Sequence, residues 1–197
     1  MYTLGIDTSH QFLLVALIKD DELVEGVQLD CFKHQSEYLV PEVDKLLRKH
    51  DLDASDIDSY VVAKGPGSYT GVRIGMTLAK VAGSLMNKEV YTLSTLQLYA
   101  GLDDCYVIMD ARAKRVYVGK YHGGKALMED TIYTNEKMKE IINEGQKVIG
   151  DLHLFGKDDV YGDLCQHFVD LKPFWQKVDN VDLMTPVYLK ENEEYMK

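Results

Sequence analysis

Apolar residues fall in short runs along the first hundred positions, and polar residues cut those runs at regular places. Residues 2–7 are apolar and close on Asp7-Thr8-Ser9, which predicts a buried strand stopping at a polar turn. Residues 12–18 form a second run rich in Leu, Val and Ile. The charged triplet Lys19-Asp20-Asp21 then turns the chain, and residues 22–29 alternate well enough for a third strand, so the three predict a meander. From Ser36 the period changes. Leu39, Val40, Val43, Leu46 and Leu47 recur at helical spacing, with Glu42, Lys45, Arg48 and Lys49 on the other face. Ser36 is the expected N-cap, and Pro41 falls in or near the first turn. An acidic connection over 51–58 leads to a short apolar strand, 60–63, of the kind buried in a parallel sheet. The segment GPGSYTGVRIG, residues 65–75, follows directly and opens a helix over about 70–86. A strand at 90–93 and a helix from Ser94 or Thr95 to about Gly101 complete this half.

The second half opens on the same plan. Residues 105–109 are an apolar strand ending at Asp110, as the first strand ends at Asp7. Residues 115–121 and 126–133 read as further strands, Thr134 caps a helix to about Asn143, and 147–150 is a short strand. Beyond Gly150 the pattern fades; 160–168 reads as a helix and the polar tail 191–197 as fraying. Three antiparallel strands followed by parallel strands and helices is the ribonuclease-H-like plan, shared by each lobe of the sugar kinase, actin and heat-shock-protein-70 superfamily. The expected fold is α/β with two such lobes, 1–102 and a shortened 103–197; the plan alone fixes no function.

Composition narrows the functional classes. The chain has 197 residues, enough for one large domain or two small lobes, with 46% hydrophobic and 27% charged residues, an ordinary globular balance. No apolar run is long enough to span a bilayer, and the first has no basic flank or cleavage site, so neither an anchor nor a leader is expected. Cys31, Cys105 and Cys165 are widely spaced with no CxxC, which fits reduced thiols rather than a disulfide framework or zinc knuckle. A net charge of −10 argues against direct nucleic-acid binding. Arg112, Lys114 and Arg115 are the local exception, either a solvated hairpin edge or an anion or RNA contact within a larger assembly.

The glycine-rich segment supports two readings. Pro66 followed by Gly67 fits a type II turn, and Ser68 or Thr70 then caps the helix. Free N–H groups at a helix start beside glycines are the recipe for an anion site, which makes Asp7, Ser9, Gly65, Gly67 and Ser68 phosphate-loop candidates. A tight connection explains the same residues. Neither GxxxxGK[ST] nor GxGxxG with its acidic partner is present. Behind the turn, Gly71, Gly75, Ala79 and Gly83 form a stripe of small residues that drifts about 40° per step. Three glycines cost roughly 1 kcal/mol each in a helix, so the stripe answers a packing requirement. Either it packs on the chain's own sheet, or it forms a subunit interface to which Leu39, Val43 and Leu47 add apolar surface.

Together, GIDTS, SEYLVPEVDKLL, AKGPGSYTGVRIGMTLAK, the strand and STL at 90–96, DARAKRVYV and PVYL resemble the TsaB/YeaZ family over residues 4–118, with an echo at 186–189. The resemblance implies a bacterial, cytoplasmic, non-catalytic partner subunit in the threonylcarbamoylation of tRNA adenosine. It would bind a TsaD-like catalytic subunit, which with it recruits a TsaE-like ATPase, and would meet tRNA only through the complex. No cofactor of its own is implied; ATP belongs to the assembled complex, and a homodimer is expected when the chain is alone. The catalytic paralogue's His-x-x-x-His metal pair would fall near Thr95 and Tyr99, neither a metal ligand of that kind. The six histidines form no i,i+4 pair. Gln35 stands where a histidine is common in the family, Tyr69 where phenylalanine is, and Val72 where leucine is. Two alternatives remain: a nucleotide-dependent phosphotransferase with Asp7 and Asp110 around Mg²⁺, and a peptidase, because relatives carry a glycoprotease label. No GxSxG or Cys–His setting supports the latter.

Overall fold

In the computed structural model, which describes residues 1–190, the apolar runs become two sheets; the tail read as fraying lies outside the described residues. The first three strands are β1 (Tyr2–Asp7), β2 (Phe12–Lys19) and β3 (Glu22–Asp30), an antiparallel meander as the sequence predicts. Helix α1 (Gln35–Lys49) leads to β4 (Ser59–Ala63), and α2 (Tyr69–Met86) leads to β5 (Glu89–Leu93). Both of these strands run parallel to β1 in the order β5-β4-β1-β2-β3. Helix α3 (Thr95–Ala100) connects to the second sheet: β6 (Cys105–Asp110), β7 (Arg115–His122), β8 (Lys125–Ala126) and β9 (Thr131–Thr134). Then come α4 (Asn135–Asn143) and β10 (Val148–Gly150), which pairs parallel to β6.

Strand periodicity sorts the core. Along β2, Leu13, Val15 and Leu17 face one side and Leu14, Ala16 and Ile18 the other, and all six are buried. The first set packs with Leu39, Leu46, Leu47, Val72 and Met76 under α1 and α2. The second packs with Tyr99, Met109, Tyr117 and Phe168, so the core runs from one sheet into the other.

Several expectations are corrected. Helix α1 begins at Gln35 with His34 as its cap residue, and Ser36 lies inside the first turn. The Gln35 side chain donates to the His10 carbonyl at 2.6 Å, which fixes the helix start against the β1–β2 turn. The strand expected over 126–133 is split into β8 and β9 by a loop that delivers Asp130 to Ser94. The helix expected over 160–168 is α5 (Leu164–Asp170), because Val160 makes a bridge to Gly150 and Asp163 caps the helix by accepting from the Gln166 N–H. Contacts cross the boundary expected at 102/103. The segment after α5 returns to the first sheet, where β11 (Gln176–Lys177) pairs with β5, and Val178 N–H donates to the Val90 carbonyl at 2.9 Å.

Candidate functional site

The glycine-rich turn is built differently from the type II turn its sequence predicts. The Gly65–Pro66 peptide is cis, and positive φ (+100°) falls on Gly65, not Gly67. Gly65 is held by its carbonyl, which accepts from Thr95 N–H at 2.9 Å, and by the Val187 carbonyl oxygen, which would lie 2.7 Å from any Cβ there. Gly67 presses against Ser9, whose carbonyl accepts from Ser68 N–H at 2.7 Å. Ser68 Oγ in turn caps α2 by accepting from Gly71 N–H at 3.2 Å. The Thr8 hydroxyl donates to the Gly71 carbonyl at 2.7 Å and accepts from Gly75 N–H at 2.9 Å, which bridges one helical rung. The chain's own Thr8-Ser9 turn packs into this cradle. Asp7, Ser9, Gly65, Gly67 and Ser68 lie around it, and the Ser68 N–H is already taken by the Ser9 carbonyl.

The same contacts correct the interface reading of the small stripe. Gly71 and Gly75 are buried against Thr8, Ile6 and Val62 of their own lobe, Ala79 is buried in the same core, and Gly83 fits against Val181 and Val90. Leu39 and Leu47 are core residues at 3% and 4% exposure; Val43 and the edge of Leu47 line the surface trough between the helices, and Leu39 does not. Burying the stripe leaves an adjoining face of α2 outward. Val81 is 45% and Leu85 80% exposed, beside Val40 of α1 at 59%. Val40 and Val81 flank an apolar trough of about 430 Å³, lined also by Val43, Leu47, Tyr60, Leu78 and Met86. Sequence reasoning missed Leu78, Val81 and Leu85. Their signal was present, a second stripe of large apolar residues at helical spacing that flanks the glycines.

Where the sheets meet, a buried polar cluster forms. His10 Nε2 pairs with Asp151 Oδ2 at 3.0 Å, Asp110 N–H donates to the same oxygen at 2.6 Å, and the Tyr161 hydroxyl donates to Oδ1. Burial pushes the Asp151 carboxyl up, but the His10, Tyr161 and Asp110 bonds outweigh it and hold it below its ordinary value. Asp7 is fully buried; burial raises its pKa against the opposing Ser9 bonds. The Tyr99 hydroxyl lies near Asp7 Oδ2, yet neither closes a hydrogen bond of good geometry.

These residues do not suit a Mg²⁺ ion shared by Asp7 and Asp110. Burial drives Asp7 toward its neutral form, and both Asp110 oxygens accept from Arg112. Asp151, His153 and Asp159 do place ligand atoms within 4.8 Å of one another. However, Asp151 is already engaged, and Asp159 accepts from His153 N–H at 2.8 Å. Thr95 and Tyr99, at the positions of the expected metal pair, are buried core residues. The basic turn joins β6 and β7, both interior strands of the second sheet: Arg112, Ala113 and Lys114 all have positive φ, and Arg112 pairs with Asp110 at 2.8 Å.

Residues 30–161 match the family model described as TsaD: tRNA N6-adenosine threonylcarbamoyltransferase. The chain is 36% identical to the tRNA threonylcarbamoyladenosine biosynthesis protein TsaB of Bacillus subtilis, over 67% of this chain and 60% of that protein. It therefore spans about 60% of the length of that relative. It is 27% identical to the TsaB protein of Escherichia coli over 100% of this chain and 98% of that one. A crystal structure of an uncharacterized protein with similarity to peptidase YEAZ from Pseudomonas aeruginosa superposes with a TM-score of 0.77 at 19% identity, covering 96% of this chain and 99% of that one.

Proposed function

The chain belongs to the TsaD family, in its TsaB/YeaZ branch, and from that premise we propose that it is a non-catalytic partner subunit of a tRNA threonylcarbamoyladenosine-forming complex. The observation that carries this reading is the apolar trough between α1 and α2. Val40, Val81 and Leu85 stand open to solvent on two rigid helices, and a patch of that kind marks a docking surface. Burying each such side chain is worth about 1.5–3 kcal/mol. A TsaD-like catalytic subunit is the proposed occupant, and in its absence a second copy of this chain covers the same face. A TsaE-like ATPase and tRNA join through that complex, in the cytoplasm. The reading assigns no nucleotide to the isolated chain and places ATP with the assembly; the packing of Thr8-Ser9 against the glycine turn supports it. No helix among the described residues is long and apolar enough to cross a membrane.

The test is co-purification of the tagged chain with the TsaD-like protein of the same cell. Val40→Glu and Val81→Glu place a charge at the trough without touching the core, so complex should be lost while the melting temperature is unchanged. Full retention of the partner by both variants would remove the reading.

A further inference from the structure

A second cavity, of about 770 Å³, lies where the end of β4 and the start of α3 face β7 and the 127–130 loop. The carboxylate of Asp130 accepts from the Tyr121 hydroxyl at 2.5 Å and from the Ser94 hydroxyl. Both donors are neutral. Across the cavity, the Lys64 amine donates to Gln176 Oε1 at 2.6 Å, a neutral acceptor. Lys64 and Asp130 sense each other's charge, but among the described residues neither makes an ion pair. Burial pushes the Asp130 carboxyl up and the Lys64 amine down, so it opposes the charge on each. The remaining wall is mixed, with Gln97 and Glu129 as its polar groups beside apolar side chains. Leu127 and Met128 come from the loop, and Val187 and Leu189 from the segment that crosses back over the junction.

A carboxyl group and an amine that each bond only neutral partners, in one cavity with apolar patches on its wall, define a ligand. A simple anion such as a phosphate would face Asp130, and a simple cation would face Lys64. We propose that this cavity binds a small zwitterion, a free α-amino acid or dipeptide with an apolar side chain, its ammonium on Asp130 and its carboxylate on Lys64. The cavity volume lies within the range for small-molecule sites, and a few placed polar groups are what fixes orientation in such sites. The site is separate from the α1–α2 trough, and nothing in it depends on the docking reading.

The test is titration of the isotope-labelled full chain, followed by amide chemical shifts. The probes are leucine, alanyl-leucine, N-acetyl-leucine, leucinamide and ATP. Shifts centred on Gly65, Gln97 and Leu127 are expected with leucine or alanyl-leucine, whichever of the two the cavity holds more tightly. Both charge-deleted analogues should bind at least about tenfold more weakly. That comparison uses unaltered protein, so it does not depend on any variant folding. Lys64→Met and Asp130→Asn should each weaken the zwitterion by a similar factor. The proposal is overturned by no shift with either zwitterion up to about 10 mM, by analogues that bind equally well, by variants that bind like the parent chain, or by ATP producing the same shifts.

Discussion

Asp7 ends β1 fully buried, and only one of its carboxylate oxygens has a partner, the Ser9 N–H at 2.9 Å. Burial raises its pKa above the ordinary 3.8, so the folded chain holds this proton more tightly than the unfolded one. The sign follows: its contribution is most favourable below the unfolded value and is lost as pH rises through the folded one. Asn in its place keeps an acceptor for Ser9 N–H and puts a neutral donor beside the Tyr99 hydroxyl. Asp7→Asn should therefore raise stability at pH 7 by about 1–3 kcal/mol and lose that advantage in acid. Urea midpoints across the pH range test this; a midpoint at pH 7 no higher than the parent chain's would refute it. Asp151, held below its ordinary value, behaves in the opposite sense and weakens the fold only as pH falls. A single residue also decides the fate of the glycine turn. The Thr8 hydroxyl occupies a helical rung between Gly71 and Gly75, and neither glycine could carry a side chain without displacing it.

At the scale of elements, α2 shows what could be read in advance. Its position, its Ser68 cap and its stripe of small residues are legible in the sequence, because caps and periodicity are local. Which face turns inward is not local. That follows from Thr8, more than sixty residues away, entering at the glycines, and the face with Val81 and Leu85 is exposed as a consequence. The meander and the β4 and β5 strands are legible for the same reason as α2. The chain beyond Gly150 is not. Apart from the seven-residue helix α5, it forms short bridges, 3-10 turns and a two-residue strand with no period of their own, and it is ordered by contacts with the first sheet. The segment near Val187 shows this dependence. Val187 N–H donates to the Lys64 carbonyl at 2.7 Å, Tyr188 stacks on Tyr69 with ring centres 4.8 Å apart, and Arg73 Nε donates to the Tyr188 hydroxyl at 2.6 Å. Tyr188→Ala should cost about 1–2 kcal/mol in urea unfolding and leave partner capture by the α1–α2 trough intact. Loss of the partner at unchanged stability would instead place docking on this segment.

For the whole molecule, the question is whether two sheets make two folding units. Three features tie them together. Leu14 and Ala16 of the first sheet share a core with Met109 and Tyr117 of the second, His10 bonds Asp151 across the junction, and β11 extends the first sheet from the far end of the chain. Phe168 of α5 sits at the centre, fully buried, with its ring so close to Gly5 that a Cβ there would lie 2.7 Å from it. The sole tryptophan, Trp175, reports on this region, because its indole N–H donates to the Phe168 carbonyl at 3.0 Å and its ring lies 5.7 Å from Tyr91 of β5. Shared core of this kind makes unfolding all-or-none. Trp175 fluorescence and far-UV circular dichroism should therefore trace one urea transition with one midpoint. Phe168→Ala should move both probes together by about 3–5 kcal/mol. If fluorescence were lost at a lower urea concentration while most of the dichroism remained, the returning segment would be a detachable clasp on an independent first lobe, and the shared core would not govern the unfolding.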